Sequence, residues 1–104
     1  MTETEKMPQV RHNEDRSRFE AATPAGTAVV EYRRHGDRIT FTHTEVPPAM
    51  RGRGIADDVA EHALEYAAAE RLEVVPACPF IAAYIRRHPK YAALVRAADD
   101  TARG

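Results

Sequence analysis

The sequence predicts an α+β fold: a mostly antiparallel sheet that includes one strand–loop–helix–strand unit. Three observations predict it. Residues 9–46 read as four short strands separated by turn signals, the last of them, Arg38 to Val46, alternating apolar and polar side chains. Residues 55–70 follow with helical spacing and an alanine-rich apolar stripe. Residues 72–77 then return to a short apolar run, the length of a buried strand. The strands on either side of the helix are expected to pair in parallel, through a right-handed crossover.

Residues 1–8 are polar and are expected to fray. Gln9 to Asn13 and Arg16 to Ala22 read as short strands, the second with Phe19 and Ala21 on one face. Thr23-Pro24-Ala25-Gly26 is a turn signal. Thr27 to Arg34 is rich in β-branched and aromatic residues and reads as a strand, closed by a hairpin turn at His35-Gly36-Asp37. Arg38 to Val46 alternates, with Ile39, Phe41, His43 and Glu45 expected on one face and Thr40, Thr42, Thr44 and Val46 on the other. Pro47-Pro48 ends it, because neither can donate a ladder hydrogen bond.

The helix from Ile55 to about Glu70 presents Ile55, Val59, Ala63 and Leu64 with Ala56, Ala60 and Ala67 as its buried stripe. Asp57 and Asp58 in its first turn suit the helix dipole. A C-terminal glycine is expected near Arg71, and none is there. Leu72 to Ala77 is the next strand. Pro79 opens a second helix over Phe80 to Arg87, and Pro89 a third through Val95. The expected organisation is a flexible start at 1–8, one domain at 9–98 and a polar tail at 99–104.

Between strand and helix stands Arg51-Gly52-Arg53-Gly54-Ile55-Ala56. The glycines leave the backbone uncovered, so a ligand can approach closely. The helix that follows aims free N–H groups and a positive dipole end at whatever fills the loop. Two arginines flank the glycines. The predicted ligand group is a pyrophosphate. A Walker loop would need Lys-Ser/Thr after its last glycine, where Ile55-Ala56 stands, and a dinucleotide fingerprint would need a glycine at Asp57.

Arg51 to Ala56 resembles the Arg/Gln-x-x-Gly-x-Gly/Ala motif of the GNAT superfamily of acyl-CoA-dependent acyltransferases. Residues 46–55 resemble that superfamily's strand end and loop nearly residue by residue. Cys78-Pro79-Phe80, Tyr84-Ile85 and His88-Pro89-Lys90-Tyr91 resemble the second signature of its compact, single-domain members. The match covers about residues 38–95. It implies a GNAT-like fold, with acetyl-CoA or CoA wedged between two splayed strands. Val46 would then cap the strand that pairs with the pantetheine arm. Arg51, Gly52, Arg53, Gly54, Ile55 and Ala56 would hold the pyrophosphate, and Leu72 to Cys78 would form the other wall.

The implied activity is N-acyl transfer to a small amine or peptide. It needs a neutral amine, a polarised thioester carbonyl and a proton for the leaving thiolate. His43 and Glu45 are the base candidates, two residues apart beside the loop; the plainer reading is a sheet histidine and a solvated glutamate. Tyr84 resembles the tyrosine that many members place near the CoA sulfur as general acid; alternatively its ring packs in the core. Cys78 departs from the polar residue that many members carry hereabouts. It is either a nucleophile or acyl acceptor beside a helix N-terminus or a small buried hydrophobe. His88 and Tyr91 face the acceptor or, the favoured reading, only begin the last helix.

At 104 residues with 43% hydrophobic and 30% charged residues, the chain has room for one modest core. A net charge of −1 gives no electrostatic footprint for nucleic acid or a membrane surface. Five scattered histidines lack paired metal-ligand spacing, so no metal is expected. One cysteine excludes an internal disulfide and fits a reducing cytoplasm. The expected state is a monomer or homodimer. A second class of function also fits: an acyl-CoA-binding module without efficient catalysis. Residues 1–37 show no helix to shape an acceptor pocket, so that pocket would stand open or be completed by a partner.

Overall fold

Tight polar turns fold the first half of the chain into a meander, and a glycine-rich loop then carries it into helix. The computed structural model describes residues 9–95. The expected frayed start at 1–8 and the polar tail at 99–104 lie outside the described residues. The strands are β1 (Val10–Asn13), β2 (Arg18–Thr23), β3 (Gly26–His35), β4 (Arg38–Glu45) and β5 (Glu73–Pro76); the longer helices are α1 (Ile55–Ala69) and α2 (Pro79–Arg87). The sheet runs β1-β2-β3-β4-β5. Its first three pairings are antiparallel, and β4 pairs β5 in parallel across α1. The α+β class and element order are as the sequence predicts, and each boundary falls within about two residues of the prediction. Pro89 opens a 3₁₀ turn, Pro89–Tyr91, before the chain becomes helical at residues 92–95.

Register explains the core. Phe19 pairs with Val30, Ala21 with Ala28, Tyr32 with Phe41 and Ile39 with Val74, so these eight side chains share one sheet face. They form one buried cluster with Ile55, Val59, Ala60, Ala63, Leu64 and Ala67 of α1 and Ile81, Tyr84 and Ile85 of α2. The predicted α1 stripe is therefore the buried one, with Ala56 half-buried at its start. The opposite sheet face is polar. It carries ion pairs such as Arg18–Glu20 at 2.7 Å and Arg38–Glu73 at 2.9 Å.

One expectation about faces fails. Tyr32 pairs with Phe41 but Glu31 pairs with His43, so Thr42 is an extra residue in β4. This bulge reverses the alternation beyond it. Thr44 pairs with Val30 and takes the helix-covered side, while His43 and Glu45 turn to the polar face. They do not share a face with Ile39 and Phe41. Two exposed, ionisable side chains thereby stay out of the core, where burial would penalise their charged forms.

The missing glycine at the end of α1 has a direct answer. Arg71 itself takes the left-handed conformation, with φ of 59°. Leu72 N–H bonds to Ala67 C=O at 2.9 Å and Arg71 N–H to Ala68 C=O at 3.2 Å. This is a Schellman closure with arginine where glycine is usual.

Candidate functional site

A cleft of about 880 Å³ opens where β4, the glycine loop and α1 meet. Its origin is the early end of β5. Strand β5 follows β4 only as far as the Phe41–Pro76 pair. Cys78 N–H then bonds to Phe41 C=O at 2.9 Å as the chain turns into α2. Beyond that point His43 to Glu45 pair with β3 alone. The two parallel strands thus splay, beside the bulge that bends β4.

The loop supplies one end of the cleft. Gly52 and Gly54 both adopt left-handed φ, 81° and 79°. A Cβ at Gly52 would meet nothing within 4 Å, so its side of the loop faces open space. Gly54 is the N-cap of α1, and no side chain caps this first turn. Asp58 N–H returns to Gly54 C=O at 3.0 Å, so the helix is wound from its first residue. Uncapped amides, two left-handed glycines and the positive helix end form a donor set for an anion. Arg51 is exposed, with Nε 3.4 Å from Val46 C=O. Asp57 sits in the same turn and would repel an anion. Arg87 of α2 answers it with a 3.2 Å ion pair.

The cleft brings together His43, Glu45, Val46, Arg51, Gly52, Gly54, Ile55 and Ala56 from the expected site residues, and adds Thr44, Met50, Asp57 and Phe80. Val46, Met50 and Phe80 are half-buried apolar side chains packed against the core. They give the cleft an apolar flank opposite the donor set. Arg53, Cys78 and Tyr84 are not among the lining residues.

His43 Nε2 lies 3.4 Å from Glu45 Oε1, with the side chains 54% and 68% exposed. The pair is adjacent and wet. Cys78 is buried at 4% exposure and caps α2 with its backbone. Its Sγ lies 3.2 Å from Thr44 Oγ1. Sequence reading missed Thr44 because the alternation sends it to the opposite face; only the bulge brings it to the thiol.

Tyr84 lies deeper in the helical layer. Its ring stacks on His88 at 4.1 Å, and Arg87 sits 5.4 Å above it. Burial raises its phenol above the ordinary value, aided by Glu61 and Asp57 of α1. Tyr91 is buried too, and its hydroxyl donates to Glu65 at 2.7 Å. Burial and that bond hold its phenol protonated. His88 Nδ1 lies 3.0 Å from Tyr84 C=O. His88 is thus engaged with Tyr84 of α2 and Tyr91 with Glu65 of α1, in line with the favoured reading. Among the described residues no cluster of three His, Cys, Asp or Glu side chains is placed to hold a metal ion. No helix among them is long and apolar enough to cross a membrane.

Comparison with known proteins gives the site its context. The family model for GCN5-related N-acetyl-transferases matches residues 18–95, from β2 to the last helical turn. Protein NATD1 of Gallus gallus is 38% identical over 84 residues, covering 78% of this chain and 76% of the relative. Protein NATD1 of Mus musculus is 37% identical over 84 residues, covering 78% of this chain and 76% of the relative. Protein NATD1 of Homo sapiens is 43% identical over 63 residues, covering 60% of this chain and 56% of the relative.

Proposed function

The chain belongs to the GCN5-related N-acetyltransferase family, and from that premise we propose that it moves an acetyl group from acetyl-CoA to the amine of a small molecule or peptide. The observation that carries this reading is the cleft between the β4 end and the uncapped start of α1. The loop amides of Gly52 to Ala56 hold the pyrophosphate, and Arg51 and Arg53 add charge as exposed side chains. The pantetheine arm lies along the unpaired side of β4 near Val46, against Met50 and Phe80. The thioester then reaches the region of Thr44. His43 or Glu45 receives the amine proton from the solvent side. The proton returned to CoA comes from the side of Cys78, whose thiol lies 3.2 Å from the hydroxyl of Thr44 in the cleft lining. The single cysteine supports a reducing, cytoplasmic setting.

A second reading has its own support. Among the described residues none covers the exposed side chains of His43 and Glu45 on the polar sheet face, which leaves the acceptor side open. On this reading the domain binds acyl-CoA, as a monomer or homodimer, without efficient turnover.

Titration with acetyl-CoA, followed by backbone amide NMR, tests the shared premise. Shifts centred on Gly52 to Ala56 and on Cys78 are the expected result. Absence of shifts at millimolar ligand overturns both readings. Release of free CoA with a panel of amines then separates them, because a pure binder releases none.

A further inference from the structure

The bulge at Thr42 leaves the buried thiol and the cleft joined by one hydroxyl. Cys78 is 4% exposed and does not line the cleft, so its sulfur has no open path to a bound thioester. Thr44 lines the cleft and lies 3.2 Å from that sulfur. Both partners are fixed. Cys78 N–H is tied to Phe41 C=O at 2.9 Å, and Thr44 is paired with Val30 in the sheet. A hydroxyl can donate one proton while accepting another. With Cys78 S–H donating to Thr44 Oγ1, the Thr44 proton is free to point into the cleft.

We propose that Thr44 is the group that meets the thioester, and that Cys78 is the positioning residue behind it. This rests on the acyltransferase reading above. The acceptor nitrogen attacks the carbonyl carbon, and the carbon–sulfur bond breaks. The departing CoA sulfur takes the Thr44 hydroxyl proton as Thr44 Oγ1 takes the Cys78 thiol proton. His43 or Glu45 takes the surplus proton from the acylated nitrogen, and a proton from water in the cleft returns through the Thr44 hydroxyl to Cys78. No net charge accumulates, and no covalent acyl-cysteine forms. The assignment differs from nucleophilic catalysis by Cys78, which would need the sulfur itself exposed to the carbonyl.

The test is a double-mutant cycle on the full chain. Acetyl-CoA is the donor and hydroxylamine the surrogate acceptor, with the uncatalysed rate subtracted. Thr44→Val should lower kcat about 100-fold with an unchanged Kd for acetyl-CoA, the scale of losing one transition-state donor. Thr44→Ser should recover kcat to within about threefold of wild type, because it keeps the hydroxyl in place, and Cys78→Ala should lower kcat about tenfold with an unchanged Kd. Thr44→Val/Cys78→Ala should be no slower than Thr44→Val alone, since the two act as one unit. Circular dichroism and acetyl-CoA affinity identify any variant that fails by misfolding, and Thr44→Ser then carries the decision. An active wild type with additive losses, or a Cys78→Ala as fast as wild type, overturns this inference and spares the acyltransferase reading. A wild type that binds acetyl-CoA without turnover overturns both.

Discussion

The two ends of α1 are built on opposite plans. At its start, Gly54 caps the helix without a side chain, Gly52 faces open space, and the first turn lines a cleft. Near its end, Tyr66 closes a knot of rings with His12, Phe19 and Tyr32. His12 stacks on Phe19 at 4.1 Å, meets Tyr66 edge-on at 4.5 Å and reaches the Tyr32 hydroxyl at 2.6 Å. Arg34 donates to the Tyr66 hydroxyl at 2.7 Å. One end leaves donors for a ligand; the other joins its polar atoms to one another. The difference teaches where stability and function are held. The aromatic end fastens the short edge strand β1 to the helix, so the glycine end can remain open.

Substitutions at each end separate the two roles. Gly54→Asp should have the largest effect on binding. It puts a Cβ at a left-handed φ and a carboxylate beside the proposed pyrophosphate position. Calorimetry should find acetyl-CoA affinity lowered at least about 100-fold, or about 2.7 kcal/mol. The circular dichroism spectrum should change little. Retained affinity would detach the loop from the proposed function. Phe19→Ala, at the other end, should cost about 3–5 kcal/mol in chemical unfolding, as for other buried aromatic truncations. Acetyl-CoA affinity per folded molecule should not move. A parallel loss of affinity would show that the ends are coupled.

Acid sharpens the contrast. Burial lowers the His12 pKa below its ordinary value, with Glu14 opposing. The groups facing the ring are Glu14 from its own side, Tyr32 from β3 and Tyr66 from α1, the last engaged by Arg34. The unfolded chain therefore binds the His12 proton more readily than the folded one. The stability from a neutral His12 is fully present above about pH 6.5 and is lost as pH falls below that value. Unfolding midpoints between pH 7.5 and 5 should decline in wild type and decline less in His12→Gln. Equal slopes would remove His12 from the account. The smallest effect is expected for Arg87→Ala. Its partner Asp57 is 44% exposed, so stability should change by less than about 0.5 kcal/mol. Acetyl-CoA affinity should still fall about twofold to threefold, more strongly at low salt, because Asp57 then faces the anion unpaired.

Much of this was legible in the residues. The α1 stripe, the hairpin turns and the glycine loop follow from spacing and turn chemistry, which act over a few neighbours. What stayed hidden depends on distant partners. Nothing near Thr42 marks it as the extra residue; it becomes one because Glu31 and Tyr32 on β3 must meet His43 and Phe41. Thr44 and Cys78 are 34 residues apart, and their contact exists only after β5 stops short. Arg71 shows the same limit from the other side. The sequence lacks the expected glycine, and the hydrogen bonds to Ala67 and Ala68 hold arginine in a conformation it rarely adopts.

The bulge also makes this site sensitive to chain length. Removing the single codon for Thr42 leaves Phe41 facing Tyr32, His43 facing Glu31 and Thr44 facing Val30, so every remaining side chain keeps its side of the sheet. What disappears is the bend. A straightened β4 can continue its ladder with the chain after Pro76, and the groove between them narrows. Loss of one residue is thus a heritable route from an open ligand cleft to a plain sheet, with no remaining side chain changing face.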